Sequence, residues 1–582
     1  MLYRILFLLV TFLACVSLKH IAIYDVRSRM CGICIVWSPV IDMQQMEASL
    51  ANLKARGPDG SRIQNLFHTA SNMNLAIGFT RLHIQGDAKL EQPFQYENGD
   101  RYLVCNGEIF NSDALIEELG LTVPPGSSDC AVLPAILSSG MGVPDLCRQL
   151  DGDFAIVDAD MSAGVIRVAR DPYGVRPLYY GYGPSWRALV SEIKAFPPDV
   201  VHMEPILPGT WRSFMLDASL EAASDLESAQ GRWHEVPWLK TPYWKSSLDA
   251  LCQAGAAIRN GLEEAVEKRL TTVREVGACL SGGLDSSLVA AIAASILRKR
   301  GKKLHTYSIG MKGSTDLAAA REVAAHIGSI HHERIVDAEE CLALIPVVIR
   351  AIETFDITTV RASVGNYLVG DLVRKETPSV KVVLNGDGAD EALGGYLYMR
   401  AAPTNAAFEL ETTRLLTDMH RYDVLRSERS MAAHGLESRS PFLDRQFLSI
   451  VRGLPTESLR SSAEILEKSM LRSAFDHMNV LPETILWRPK EAFSDGMSRA
   501  DKSWYEMARE EGERHAGEAA DTEYATNPPQ TAEARWYRRI FHSYYPLVAA
   551  ETVPAMWMPR FVHASDPSAR TLSMYEQKNI EQ

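Results

Sequence analysis

The sequence predicts a mixed α/β protein of two large domains, the first rich in sheet and the second built of alternating strands and helices. Three observations predict this. Short apolar runs recur up to about residue 215 with turn residues between them at close intervals, the pattern of sheets with few helices. From Leu248 onward, helical stretches alternate with short β-branched runs, which implies a parallel sheet. The length of 582 residues favours two to four domains at roughly 150 residues each, enough to bury a core without disulfides.

Taken in order, residues 2–18 form an apolar run with one arginine, followed by Lys19, His20, Arg27 and Arg29. The run fits a signal-peptide core or a short membrane anchor. It also fits translated upstream sequence with the true start at Met30, the reading we favour. Cys31 to Trp37 suits a buried strand. Gln44 to Arg56 has helical spacing, and Arg56-Gly-Pro-Asp-Gly60 is a turn. Strands are expected at Leu75–Phe79, Tyr102–Cys105, Phe154–Asp158, Val165–Arg170 and Leu178–Tyr182. Residues 217–246, polar and irregular with Gly231, Pro237 and Pro242, read as a linker. Beyond it, Val276–Leu280, Lys303–Ile309 and Lys381–Leu384 are strand candidates, and 400–480 is largely helical. The polar tail after about Ala549 is expected to be poorly ordered. The divisions are thus 1–30, 31–216, 217–246, 247–550 and 551–582.

Hydrophobic residues make up 46% and charged residues 23%, a soluble globular composition. A net charge of −13 argues against bulk nucleic-acid binding. Nine cysteines without a repeated pairing pattern favour a reducing compartment, hence the cytoplasm.

The strongest local signal is Ser281-Gly-Gly-Leu-Asp-Ser-Ser287, between an apolar strand ending at Leu280 and a helical stretch. Such a turn presents backbone N–H groups at a helix N-terminus, a ready anion site. Asp285 would repel phosphate unless a metal bridged them, so it predicts Mg²⁺. No lysine stands where a Walker loop needs one. The string resembles the pyrophosphate loop of the ATP pyrophosphatase superfamily, which makes acyl-adenylates.

A second set, Met30-Cys31-Gly-Ile33, Arg56-Gly-Pro-Asp59, Arg81-Leu, Asn106-Gly-Glu108 and Ser128-Asp129, resembles the glutaminase domain of class II amidotransferases. That family's nucleophile is an N-terminal cysteine whose own α-amine, with a pKa of about 8, takes the thiol proton. The resemblance implies Cys31 as nucleophile and an oxyanion hole of the Asn106 side chain and the Gly107 N–H. It implies Arg81 on the glutamine carboxylate, with Asp129 and Glu108 on its α-amine. Cys31-Gly-Ile-Cys34 also fits a redox or metal C-x-x-C pair, though no second pair stands nearby. If Cys31 stays joined to Met30 its nitrogen is an amide without a basic lone pair. Translation from Met30 with methionine removal, or cleavage at that point, would free it; otherwise the domain is inactive.

Further strings, Glu353 to Ser363, Gly386-Asp-Gly-Ala-Asp-Glu391, Gly394 to Tyr398, Tyr422-Asp423 with Arg426, Gly435 to Asp444 and Trp487 to Glu491, resemble the glutamine-hydrolysing asparagine synthetases from Met30 to about residue 550. The resemblance implies an N-terminal αββα sandwich (Ntn-hydrolase-like) followed by a parallel-sheet domain of the adenine nucleotide alpha-hydrolase type. It implies that glutamine yields ammonia, that aspartate and MgATP yield β-aspartyl-AMP and pyrophosphate, and that ammonia reaches the adenylate by a shielded route to give asparagine. The ATP-site candidates are Leu280, Ser281, Gly282, Gly283, Asp285, Ser286, Ser287, Ile309, Asn385, Gly386 and Lys490. Thr358, Thr359, Arg361, Asp423 and Arg426 are expected around aspartate and the adenylate, and Asp285 and Asp390 at the metal. Asp387 stands where the family usually has glutamate and could accept a proton from ammonia, though its side chain is one methylene shorter. Asn385 replaces a small hydroxyl near the adenylate.

The expected partners are therefore glutamine, aspartate and ATP, with no nucleic acid, no membrane unless the extension is retained, and a homodimer allowed for. Two rivals are a related amidotransferase acting on another carboxylate and a non-catalytic, membrane-tethered nucleotide sensor.

Overall fold

The computed structural model describes residues 31–57, 59–87, 91–217, 227–236, 244–491, 496, 498, 502–515, 524–568 and 571–572. The apolar run at 2–18 and everything before Cys31 lie outside the described residues, as does the tail after Leu572.

The first half carries twelve strands among the described residues. They are β1 (Gly32–Ser38), β2 (Gly60–His68), β3 (Met73–Arg81), β4 (Phe94–Tyr96), β5 (Arg101–Ile109), β6 (Gly152–Asp160), β7 (Val165–Arg170), β8 (Tyr179–Tyr182), β9 (Arg187–Val190), β10 (His202–Pro205), β11 (Thr210–Met215) and β12 (Glu227–Arg232). They form two six-stranded antiparallel sheets, ordered β10-β8-β9-β1-β3-β2 and β12-β11-β7-β6-β5-β4.

The alternation of side chains along a strand explains the stacking. On β1, Ile33, Ile35 and Trp37 meet Val104, Val157, Val168 and Phe214 of the other sheet. Cys34 and Val36 point the other way, onto Met46 and Leu50 of the helix Met43–Asn52. Both faces of β1 are buried, which is why its sequence is continuously apolar. On the far side of the second sheet, helices Ser112–Leu119, Val132–Ser138 and Val143–Gln149 cover Leu103, Phe154 and Ile156. The result is the expected αββα sandwich.

The linker expectation needs correction. Residues 227–232 pair with β11 as an edge strand, so the sheet continues into the segment read as irregular. Its sequence, Glu-Ser-Ala-Gln-Gly-Arg, has no apolar alternation to reveal it, because the backbone ladder alone recruits it.

The second half holds a five-stranded parallel sheet. Its strands are β13 (Glu275–Cys279), β14 (His305–Met311), β15 (Ile330–Val336), β16 (Val380–Leu384) and β17 (Glu437–Arg439), in the order β15-β14-β13-β16-β17. The chain runs outward from β13 to β15, then returns to the other side of β13 as β16. Connections therefore diverge between β13 and β16, and a crevice opens at their carboxyl ends, where open α/β sheets bind ligands.

The tail also departs from expectation. Val553, Trp557, Asp566 and Leu572 are buried. Trp557 packs on Tyr396 and Tyr398, and its backbone N–H donates to Asp356 Oδ1 at 2.8 Å. Polarity misleads here because the segment is held by specific hydrogen bonds and rings rather than by a continuous apolar stripe. Among the described residues, no helix is long and apolar enough to cross a membrane.

Candidate functional site

Two sites emerge, one per half. In the first, Cys31 immediately precedes β1, and Gly32 pairs with Thr80, so Arg81 at the end of β3 falls beside it. Leu82 N–H donates to Cys31 Sγ at 3.4 Å. Burial pushes the Cys31 thiol up to about 12; Glu437 and Glu108 add to the rise, against Leu82 N–H and Arg81. Asn106 and Gly107 come from β5 of the other sheet. The Asn106 Nδ2 is buried without a hydrogen-bond partner, a donor left over for a ligand. A Cβ at Gly107 would stand 2.1 Å from the Asp153 carbonyl oxygen, so only glycine lets β5 lie this close to β6.

Arg81 is buried and donates from Nη2 to the carbonyls of Gln85 (3.1 Å) and Asp87 (2.7 Å). Asp129 Oδ2 accepts from Ile109 N–H at 2.6 Å, and burial raises its pKa to about 6. Glu108 is raised well above the usual carboxylate range, by burial and by Asp129 and Glu437. It accepts from Gln85 Nε2 at 2.7 Å and pairs with Arg439 Nη2 at 3.1 Å. Glu108 is thus shared between the glutaminase candidates and β17 of the other half. Cys34 is fully buried against Met46, and both it and Cys31 are free thiols, so the C-x-x-C alternative finds no support in their surroundings.

The second site is a cavity of about 300 Å³ at the carboxyl ends of β13 and β16. Its lining includes Leu280, Ser281, Gly283, Asp285, Ser286, Ile309, Asn385, Gly386, Asp387, Asp390, Asp423, Arg426 and Lys490. In the loop after β13, Ser281 and Ser286 hydroxyls lie 3.0 Å apart, and Ser281 Oγ accepts from Gly283 N–H at 3.2 Å. Gly282 takes φ +76° with its α-carbon against Ala319, a turn that favours glycine. Its carbonyl accepts from Arg488 Nη1 at 3.1 Å. Gly386, after β16, lies directly against Asp285 and Ser286, so the two loops touch.

The charges are paired across these loops. Lys468 Nζ donates to Asp285 Oδ2 at 2.6 Å and to Asp390 Oδ1 at 2.8 Å. Lys490 Nζ donates to Asp390 Oδ2 and sits over the Tyr396 ring. Burial raises Asp285 against the pull of Lys468. Burial also works on Asp390, but Lys468 and Lys490 outweigh it and hold that carboxyl far below the usual range. Asp285 Oδ1 is buried with no hydrogen-bond partner. That oxygen and the Asp390 carboxylate are the groups that could hold a divalent cation, in competition with the Lys468 and Lys490 ammonium groups already paired there. Asp387 is raised by burial, with Arg426 opposing, and accepts from Arg426 Nη2 at 3.0 Å.

Several candidates have their side chains committed elsewhere. Thr359 Oγ1 donates at 2.8 Å to Asp356 Oδ2, the carboxylate that caps the helix Ile357–Glu376 by accepting from Thr359 N–H. Arg361 lines the cavity, but its guanidinium is shared between Glu533 (Nε 2.9 Å, Nη2 2.5 Å) and Asp566 (2.9 Å twice). Of that trio only Thr358 keeps a buried hydroxyl without a partner. The Asn385 amide braces the loop, donating to Ser438 Oγ and accepting from Ser440 Oγ, both at 2.7 Å. Gly282 and Ser287 lie outside the cavity lining, and Ser287 is fully buried. Sequence reasoning missed Lys468, Asp316, Trp557, Pro559, Pro567, Ser568 and Leu572, all in the lining. Burial raises Asp316 to about 7, against Arg488, whose Nη2 donates to it at 3.0 Å. Its one sequence signal is an acidic residue in a first helical turn.

Known proteins fit this arrangement. A glutamine amidotransferase domain model matches residues 30–224, and an asparagine synthase model matches 257–412 and 400–552. The chain is 38% identical to the asparagine synthetase [glutamine-hydrolyzing] of Gallus gallus, covering 94% of this chain and 99% of that protein. It is 37% identical to the proteins of that name from Bos taurus and Homo sapiens, with the same coverage. A solved glutamine phosphoribosylpyrophosphate amidotransferase from B. subtilis covers 48% of this chain and 67% of its own, at 19% identity and a TM-score of 0.27, and carries no weight beside the sheets already described. A match of this length across both halves makes the chain a member of the glutamine-hydrolysing asparagine synthetase family.

Proposed function

We propose that the protein converts aspartate, glutamine and ATP into asparagine, glutamate, AMP and pyrophosphate, through β-aspartyl-AMP. The observation that carries this reading is the cavity where the Ser281–Ser287 loop, two aspartates and two lysines converge beside a second, separate cysteine site.

In the first site the Cys31 thiol is too weakly acidic to ionise unaided, so it needs a base. Its own nitrogen serves only as a free amine, and the reading therefore requires that Met30 and the residues before it be removed. The thiolate attacks the glutamine side-chain amide, and the oxyanion is held by Asn106 Nδ2 and Gly107 N–H. Arg81 orients the substrate carboxylate, and Asp129 with Glu108 its amine. Ammonia leaves, and water hydrolyses the thioester.

In the second site the loop N–H groups face the triphosphate. Asp285 and Asp390 would hold Mg²⁺, which supplies charge neutralisation when bound. Lys468 and Lys490 stabilise charge on the departing pyrophosphate. Arg426 and Asp423 flank the aspartate, and Asp387 stands ready to take a proton from ammonia. Nine cysteines without a repeated pairing pattern fit a reducing, cytoplasmic setting.

The test is product analysis with glutamine, aspartate and ATP, following asparagine and pyrophosphate. Turnover only with another carboxylic acid would refute aspartate as the substrate. Cys31→Ala should abolish glutamine-dependent synthesis and leave synthesis from ammonium salts; equal loss of both would refute separate half-reactions.

A further inference from the structure

Arg56 is fully buried, and its guanidinium reaches main chain and carboxylates rather than a side chain assigned to hold the glutamine. Its Nε donates to the Cys31 carbonyl at 2.9 Å. Its Nη1 donates to Glu192 Oε1 at 2.6 Å and to Glu428 Oε2 at 3.3 Å, and Nη2 pairs with Glu428 Oε1. Glu428 belongs to the other half of the molecule, on the helix Asp423–Ala432, whose Asp423 and Arg426 line the adenylation cavity. The next residue, Arg429, reaches the same strand by a second arm. Its Nη2 donates to the Ser191 carbonyl at 3.2 Å, and Ser191 Oγ accepts from Ile33 N–H at 2.9 Å. The main chain on both sides of Gly32 is therefore moored to one helix of the synthetase half.

We propose that Arg56 and Glu428 are positioning residues for glutamine hydrolysis, a clamp by which the synthetase half holds the Cys31 main chain in its reactive orientation. The inference rests on the reading of Cys31 as an N-terminal nucleophile. A terminal residue has no preceding peptide plane to hold it. Its carbonyl is then its main-chain anchor, and that anchor sets how Cα presents both Sγ and the amine to the substrate. A two-pronged guanidinium fixed by a carboxylate suits this task, because the planar fork gives direction as well as charge. Misplacing a reacting atom by an ångström costs on the order of a hundredfold in rate.

The test measures glutamine hydrolysis and ammonium-dependent asparagine synthesis side by side in the full-length protein, wild type, Glu428→Gln and Arg56→Lys. Glu428→Gln keeps the shape and removes the charge; Arg56→Lys keeps the charge and removes the fork. For both variants we expect kcat for glutamine hydrolysis to fall by about a hundredfold, with KM for glutamine and the ammonium-dependent rate each changed by less than about twofold. Wild-type kcat in both variants would overturn the clamp. Parallel loss of both activities in both variants would also overturn it, since that is the mark of a role in folding alone. A wild type that uses ammonium but hydrolyses no glutamine would overturn the glutaminase reading itself, and the clamp with it.

Discussion

Lys468 sits in the left-handed region, φ +57° and ψ +31°, a conformation that costs a residue with a side chain about 1 kcal/mol or more. It is also almost wholly buried. The compensation is visible in its two carboxylate partners, Asp285 and Asp390. Removing the ammonium leaves the buried Asp285 carboxylate without its cation and Asp390 with Lys490 alone, the costly way to break a buried network. We expect Lys468→Met to reduce pyrophosphate release at least about a hundredfold while glutamine hydrolysis continues, as followed by a pyrophosphate assay beside glutamate formation; wild-type pyrophosphate release would remove Lys468 from the chemistry. Nothing in Glu-Ile-Leu-Glu-Lys468 announces this residue, because its role depends on a backbone twist and on partners 183 and 78 positions away. Asp285 is legible for the opposite reason, since it sits in a short contiguous string whose residue types already imply phosphate chemistry, whereas Lys490 is legible only through the family resemblance of Trp487 to Glu491. Arg361 shows the limit of such strings. Its presence in the cavity wall is readable, but the direction of its guanidinium is set by Glu533 and Asp566, far along the chain.

The segment from Val553 to Ser568, with Leu572 beyond it, behaves as a strap across the adenylation cavity. Tyr422 Oη donates to the Ala555 carbonyl at 3.2 Å, Trp557 is held by Asp356, and Asp566 by Arg361. Pro559, Pro567, Ser568 and Leu572 complete the wall. Asp566→Asn should loosen this element. Glu533 remains to compensate Arg361, so the stability loss should fall short of the ~3–5 kcal/mol of a fully broken buried pair. We expect KM for ATP to rise severalfold in the ammonium-dependent reaction, with glutamine hydrolysis unchanged; initial rates over a range of ATP concentrations check this, and an unaltered KM would show that the strap is passive. The strands flanking the nucleotide loop are readable because their faces are apolar. The strap and β12 are not, because backbone and side-chain hydrogen bonds hold them where little hydrophobic pattern exists.

The two halves share one interior. A single apolar cluster contains Val36, Met46 and Tyr179 of the first together with Ile345, Phe355 and Tyr545 of the second. Buried ion pairs cross the boundary at Arg56–Glu428 and Arg439–Glu108, and Ile193 N–H donates to Glu353 Oε2 at 2.9 Å. Units joined this way should lose structure together. Calorimetry is expected to show one unfolding transition; two well-separated transitions would mean that the shared core contributes little. The division into two folds is thus legible in the change of texture near Leu248, whereas their fusion is not, because each interface residue reads locally as an ordinary core or surface position. The strap gives the whole molecule a temporal order as well. The residues of this strap leave the ribosome after every other part of the cavity lining, so the nucleotide pocket is finished only when the chain itself is nearly finished.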